Sequence, residues 1–226
     1  MTDKRFERKF VGGMDQVSFA LAWLEHVCAP ADSYADEVIH SIYYDTPRLQ
    51  CYYEKVNGDF LKTKVRLRWY EEEEDGSGEV YLEVKRKTGG SRGKTRARLD
   101  VDRPWLISAE LCDPAFVDLL RAQADVCELG PVGLAPSLHI GYRRRRFACP
   151  ASGAGVAIDT DIGVRRINGG LIPGIGCATI PSIVLEVKGD RRGDIPWIGR
   201  LYDAGFRSRS FSKYGECVSR LIGEEA

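Results

Sequence analysis

The chain has 226 residues, of which 43% are hydrophobic and 29% charged. Its 33 Lys and Arg balance 33 Asp and Glu, which excludes the overall basic excess of a general nucleic-acid or acidic-membrane binder. The length suits one domain, 1–226, with a sizeable core, and any function built on positive charge has to gather that charge locally.

The opening MTDKRFERKF lacks an apolar stretch of the secretory kind, so no leader is expected. Phe6 to Phe10 is the first strand candidate, with Glu7 and Lys9 opposite Phe6 and Phe10. Residues 14–28 follow with helical spacing at Val17, Leu21, Leu24 and Val27. A second strand is expected over 38–45. The strongest alternation comes next: Lys62, Lys64, Arg66 and Arg68 interleave with Val65, Leu67 and Trp69. Period two places the cations on one face of a strand and the apolar residues on the other.

Glu71 to Gly78, EEEEDGSG, suits a hairpin turn. Glu79 to Lys87 then alternates again, with Glu83, Lys85 and Lys87 opposite Val80, Leu82 and Val84. The glycine-rich Gly89–Thr95 resembles a P-loop, but it is one residue short of that motif and a strand follows it, so the P-loop reading fails. Further strands are expected at 94–102, 137–147, 155–161 and 182–188, and helices at 114–124, 194–204 and 210–222. In the run Arg143–Arg146, alternation sends Arg144 and Arg146 to one side and Arg143 and Arg145 to the other. Residues 167–185 carry no charge, yet their glycines, Pro173 and Pro181 break them too much for a spanning helix.

Seven cysteines without a CxxC pair point to reduced thiols in a cytoplasmic compartment rather than to a zinc or disulfide framework. His26, His40 and His139 are scattered at no metal-ligand spacing. No Ser-His or Cys-His arrangement suggests a dedicated nucleophile. The sum is an α+β domain of about eight antiparallel strands with peripheral helices.

An ordinary antiparallel sheet turns its charged face to water. Eight strands can also close into a barrel wide enough for a small ligand. Charged faces directed inward would then form a basic tunnel carrying the carboxylates Glu7, Glu83 and Glu186. Such an interior is self-repelling without anions, and a chain of phosphates with a divalent cation would satisfy both kinds of charge.

Nine segments in order, FERKF (6–10), SIYYDT (41–46), KVRLRWY (64–70), YLEVKRK (81–87), GKTR (93–96), YRRRRF (142–147), AIDTD (157–161), VLEVK (184–188) and FSKYGEC (211–217), resemble the catalytic domain of the vacuolar transporter chaperone (VTC) polyphosphate polymerases. That family belongs to the triphosphate tunnel metalloenzyme (CYTH-like) superfamily, which includes adenylate cyclase and thiamine triphosphatase relatives. The resemblance implies a closed eight-stranded tunnel. It implies catalytic roles for Lys9, Arg66, Arg68, Lys85, Arg144 and Lys213, and phosphate contacts from Lys62, Lys64, Lys87, Lys94, Arg96, Arg146, Lys188 and Ser212. Glu186, with Glu7 and Glu83, would carry Mn²⁺ or Mg²⁺. The implied reaction is metal-dependent phosphoryl transfer, foremost polyphosphate synthesis from ATP. Hydrolysis of tripolyphosphate or a nucleoside triphosphate is the alternative, with a non-catalytic polyphosphate or nucleotide sensor behind it. The expected partners are therefore ATP and polyphosphate or tripolyphosphate, not nucleic acid. Gly155 stands where family members often carry another arginine, and the family's SPX domain and membrane helices have no counterpart in this sequence.

Overall fold

A computed structural model of the chain describes residues 6–33, 35–71, 79–123, 130–174, 178–189 and 195–224. Ten strands are seen among them: β1 (Phe6–Gly13), β2 (Ala29–Pro30), β3 (Asp36–Asp45), β4 (Leu61–Tyr70), β5 (Val80–Thr88), β6 (Ser91–Leu99), β7 (Ala135–Ala148), β8 (Gly155–Ile167), β9 (Ser182–Gly189) and β10 (Arg207–Ser208). Six α-helices accompany them: α1 (Val17–Val27), α2 (Gln50–Val56), α3 (Arg103–Ser108), α4 (Ala115–Arg121), α5 (Ile198–Asp203) and α6 (Lys213–Ile222). The expected α+β class holds.

The strands form one sheet in the order β10-β1-β9-β8-β7-β3-β4-β5-β6, with β2 paired to β7. Hydrogen bonding among the described residues does not close this order into a ring, so the expected closed eight-stranded barrel is corrected to a ten-stranded antiparallel sheet with β10 and β6 as its ends. The two additional strands, β2 and β10, have two residues each, too short to leave a period-two signal. Most of the acidic run expected to tip the β4–β5 hairpin lies outside the described residues.

The chain divides into two compact units. The first comprises Met1–Val38, Tyr142–Ile162 and Ile180–Ser212. Its core gathers Phe10, Val156, Ile158, Ile183, Leu185 and Val187 against Ala20 and Leu24 of α1 and Leu201 of α5. The second comprises Ile39–Gly141, Gly163–Thr179 and Lys213–Ala226. There the apolar faces of β4 and β5 (Val65, Leu67, Trp69, Val80, Leu82 and Val84) pack with Leu106 of α3 and Phe116 and Leu120 of α4. Each such side chain fully buried contributes roughly 1.5–3 kcal/mol. That burial fixes which face is covered, because a one-residue slip in register would exchange the faces.

Two helices went unforeseen. The start of α2 depends on Asp45, the last residue of β3: its Oδ1 accepts the Cys51 N–H at 2.8 Å and its Oδ2 the Tyr52 N–H at 3.0 Å. Leu49, immediately before α2, sits in the left-handed region at φ 52°. In α3 the Asp102 side chain accepts the Trp105 N–H and Pro104 occupies the first turn, a local start signal that begins at the last residue of the strand expected over 94–102. The segment that resembles a P-loop is a two-residue turn, Gly89-Gly90, leading into β6; Gly89 is left-handed at φ 56°. Helix α6 begins at Lys213, with Ser212 immediately before it.

A cationic sheet face and a carboxylate cluster

The second unit carries the cationic face. In an antiparallel pair, residues directly opposite share a face. Lys62 pairs with Lys87, Lys64 with Lys85, Arg66 with Glu83 and Arg68 with Tyr81 between β4 and β5. The rows continue into β6, where Lys87 meets Arg92, Lys85 meets Lys94, Glu83 meets Arg96 and Tyr81 meets Arg98. One face of three strands thus presents four cations from β4, two from β5 and four from β6. Its carboxylates are Glu83 and, just before β5, Glu79. The opposite face is the apolar one described above.

Glu83 is the hub of this face, buried at 2% exposure. Arg66 donates to its Oε2 from Nε at 2.9 Å and from Nη2 at 2.7 Å. Lys94 Nζ lies 2.7 Å from Oε1, and Arg68 Nη1 lies 3.9 Å from Oε2. Burial alone would raise the Glu83 carboxyl; the charge of Arg66 and the hydrogen bond from Lys94 overcome it, with Arg68 assisting, and hold the group well below the usual carboxylate range. Its oxygens are engaged by cations, so Glu83 serves as the counter-ion of the basic face. Arg66 also donates from Nη1 to the Tyr43 hydroxyl at 3.2 Å. Arg96 stacks over the Tyr81 ring, and Lys64 Nζ lies 5.9 Å from the centre of the Tyr43 ring.

Lys85 reports the strain in this charge distribution. Its side chain reaches solvent, yet desolvation by the surrounding chain, followed by repulsion from Arg66, lowers its pKa to about 7, with Lys64 and Lys94 adding to the effect and Glu83 opposing it.

The first unit holds a different arrangement. Glu7 pairs with Lys188 and Lys9 with Glu186 between β1 and β9, while Ala157 pairs with Glu186 and Gly155 with Lys188 between β8 and β9. Arg144 of β7 forms a two-pronged ion pair with Asp159, Nε to Oδ1 at 2.5 Å and Nη2 to Oδ2 at 2.8 Å, and its Nη2 also reaches Glu186 Oε2 at 3.3 Å. Lys188 Nζ donates to the same Glu186 oxygen at 2.9 Å. Lys9 Nζ sits 3.6 Å from Glu186 Oε1 and 3.7 Å from Glu7 Oε1, and it donates to the Phe211 carbonyl at 3.1 Å.

Glu7 and Glu186 share a hydrogen bond. It raises the Glu7 carboxyl first, burial raises it further, and Lys188 and Lys9 pull the other way. Burial would also raise Glu186, but the Glu7 hydrogen bond and the charges of Lys188, Arg144 and Lys9 hold it well below its ordinary value. Two adjacent carboxylates are oxygen donors of the kind Mg²⁺ or Mn²⁺ takes from a protein when phosphate oxygens and water complete its shell. Among the described residues no three His, Cys, Asp or Glu side chains gather in a metal-holding group; a divalent ion here would draw on two carboxylates, Glu7 and Glu186, the latter already engaged by Lys9, Arg144 and Lys188.

The remaining expected site residues fall at the edges. Arg146 is engaged by Glu37. Arg143 and Arg145 both bond Asp36, so the run Arg143–Arg146 does alternate sides. Ser212 is buried immediately before α6, and Lys213 is half-buried in the first turn of that helix. Two residues escaped the sequence reading. Asp159 lies inside the quoted AIDTD segment, but its role as the main partner of Arg144 depends on register. Tyr43, in SIYYDT, meets Arg66 across the β3–β4 ladder.

A family model described as "VTC domain" matches residues 4–222. The fold is similar to the crystal structure of a "putative adenylate cyclase" from Bacillus halodurans, at 13% identity and a TM-score of 0.53, covering 91% of this chain and 92% of that one. A "putative adenylate cyclase" from Vibrio parahaemolyticus matches at 12% identity and a TM-score of 0.45, over 92% of this chain and 94% of that one. A search of curated protein sequences returns no match. No helix among the described residues is long and apolar enough to cross a membrane.

Proposed function

The chain belongs to the VTC domain family, and from that premise we propose that it catalyses metal-dependent phosphoryl transfer from ATP, with a growing polyphosphate chain as acceptor. The observation that carries this reading is the face of β4, β5 and β6, where cations, on every second residue along β4 and β6, far outnumber Glu83 and Glu79. Strand rise is about 3.3 Å per residue, so alternate side chains along one strand recur every ~6–7 Å. Such rows suit an extended polyanion with negative charge all along its length.

Arg66 and Arg68 are held nearly buried by the Glu83 hub and would meet phosphate oxygens already oriented, so little reorganisation accompanies binding. Lys64, Lys85 and Lys94 would add point charges that move along the chain more freely. Lys85, poised near neutrality, would take up a proton at Nζ as phosphate approaches. In the first unit, Glu186 with Glu7 would hold Mn²⁺ or Mg²⁺, and that ion supplies Lewis-acid polarisation of the phosphoryl oxygens when bound. Lys9, Lys188 and Arg144 would hold the carboxylates in place and offset charge on the transferring group, while Asp159 fixes the Arg144 guanidinium.

The deciding experiment is product analysis of the purified protein with ATP and Mn²⁺. A polyphosphate ladder on a gel, lost in excess EDTA, is the expected result. ADP and orthophosphate alone would replace polymerisation with triphosphate hydrolysis. Tight polyphosphate binding without turnover under any metal would make the protein a sensor.

A further inference from the structure

Two cysteines in the first unit occupy facing positions. Strand β2 pairs with β7 through Ala29↔Ala148 and Pro30↔Phe147, so the next pair in that register is Cys28 with Cys149. The Ala31 N–H donates to the Arg146 carbonyl at 3.0 Å. Strict alternation along the ladder then makes 28 opposite 149 a close, non-hydrogen-bonded pair, the kind with Cα atoms about 4.5 Å apart. A disulfide spans Cα separations of roughly 4.4–6.8 Å. Both thiols are free, and both belong to the buried core of the unit.

Their surroundings are unequal. Cys149 opens the turn that joins β7 to β8. Its carbonyl accepts the Ser152 N–H at 3.3 Å and the Gly153 N–H at 2.8 Å. Around its sulfur lie the Ser152 hydroxyl and the backbone N–H groups of Ala151 and Ser152. The buried Trp197 indole N–H acts on the same sulfur and favours its thiolate. Burial works against a thiolate at Cys149; these donors outweigh it and bring the pKa below the ordinary thiol value. Cys28 carries no such set: burial and the Cys149 sulfur it is hydrogen-bonded to push it up to about 12. One thiol is therefore prepared as the attacking sulfur, with the other adjacent to resolve the product.

We propose that Cys28 and Cys149 are a redox modification site that closes to an intramolecular disulfide on exposure to a small disulfide of the glutathione class. In the first step the Cys149 thiolate attacks one sulfur of the oxidant, the oxidant's S–S bond breaks, and one thiolate leaves and takes a proton from water. In the second, Cys28 gives up its proton to solvent, attacks the Cys149 sulfur of the mixed disulfide, and expels the second thiol. Two protein thiols are oxidised and one small disulfide is reduced to two thiols. The bond would join the C-terminal end of α1 to the turn of the β7–β8 hairpin, the hairpin that carries Arg144 and Asp159. Pro150, Ala151 and Gly153, which follow Cys149 in the turn, are exposed, and opening of this turn would give the oxidant access to the sulfur.

The test uses the native full-length protein, incubated with oxidised glutathione, quenched in acid, alkylated, and mapped by peptide mass. The expected product is a peptide pair linked through Cys28 and Cys149, with both thiols lost to alkylation and recovered by dithiothreitol. In the Cys28→Ala variant, which removes the resolving thiol, a persistent glutathione adduct on Cys149 is expected instead. Cys28 and Cys149 remaining fully alkylatable while the exposed Cys112 reacts would overturn the proposal. So would linkage of Cys149 to any other cysteine, or absence of the adduct in Cys28→Ala.

Discussion

Glu83→Gln tests the hub of the cationic face, because it changes a charge while preserving shape. In the wild type the carboxylate is buried and bound by Arg66 at 2.7 Å and Lys94 at 2.7 Å, with Arg68 at 3.9 Å. A neutral amide leaves those cations without their counter-ion. Removing one partner of a buried ion pair costs about 3–5 kcal/mol, a large share of the roughly 5–15 kcal/mol that stabilises a domain. With a urea slope of about 2–3 kcal/mol/M, the unfolding midpoint should fall by roughly 1–2.5 M. Tripolyphosphate should then restore the variant more than it stabilises the wild type, since the ligand supplies the missing negative charge. An excess of 1.4 kcal/mol, corresponding to about tenfold tighter binding, is the expected difference. The measurement is urea unfolding of both proteins with and without tripolyphosphate, with affinities from calorimetry. A variant midpoint within about 0.3 M of wild type, or equal stabilisation of both proteins by the ligand, would refute the reasoning.

Three further outcomes follow from the site. Lys85 has a folded-state pKa of about 7 against about 10.4 in an unfolded chain; between these values the unfolded state binds more protons, so stability should rise with pH from 7 towards 10. Lys85→Met should flatten that slope, as seen by comparing urea midpoints at pH 7 and pH 9, and an unchanged slope would reject the assignment. Glu186→Gln should abolish metal-dependent turnover while tripolyphosphate affinity measured in EDTA stays within about threefold of wild type; full activity in the variant would contradict the metal role. A Cβ at Gly155 would approach only the Lys188 carbonyl, at 4.0 Å, so Gly155→Arg should fold and add a cation beside Lys188. Binding of polyphosphate should tighten several-fold with a steeper salt dependence, whereas unaltered binding in a folded variant would refute this placement.

Much of the site was written in alternation. Val65, Leu67 and Trp69 had to be buried together, and period two then carried Lys64, Arg66 and Arg68 to the other face. The same logic separated Arg144 from Arg143. What alternation does not encode is which strand lies beside which. Arg144 finds Asp159 and Glu186 only through the ordering of β7, β8 and β9, so the partners of that cation were missed. Closure of the sheet is likewise a non-local property, settled by the neighbours of β6 and β10. The start of α2 depends on the Asp45 carboxylate rather than on its own seven residues, and Glu83 reads as a lone acid in a strand until Arg66 and Lys94 are seen around it.

Among the described residues strand β6 ends the ladder, and its residues 91–96 are exposed. A terminal strand offers unpaired backbone groups to any other extended chain and is a standing route to aggregation. Arg92, Lys94, Arg96 and Arg98 lie along that strand, so a second copy adding itself there would bring rows of like charge side by side. The cations suited to a phosphate chain thus also oppose edge-to-edge pairing of two copies at β6, and a polyanion that neutralises them would remove that opposition. Solubility and ligand occupancy are linked through one strand: short phosphates bound along β6 should promote self-association, while long chains that leave excess negative charge on the face should restore repulsion.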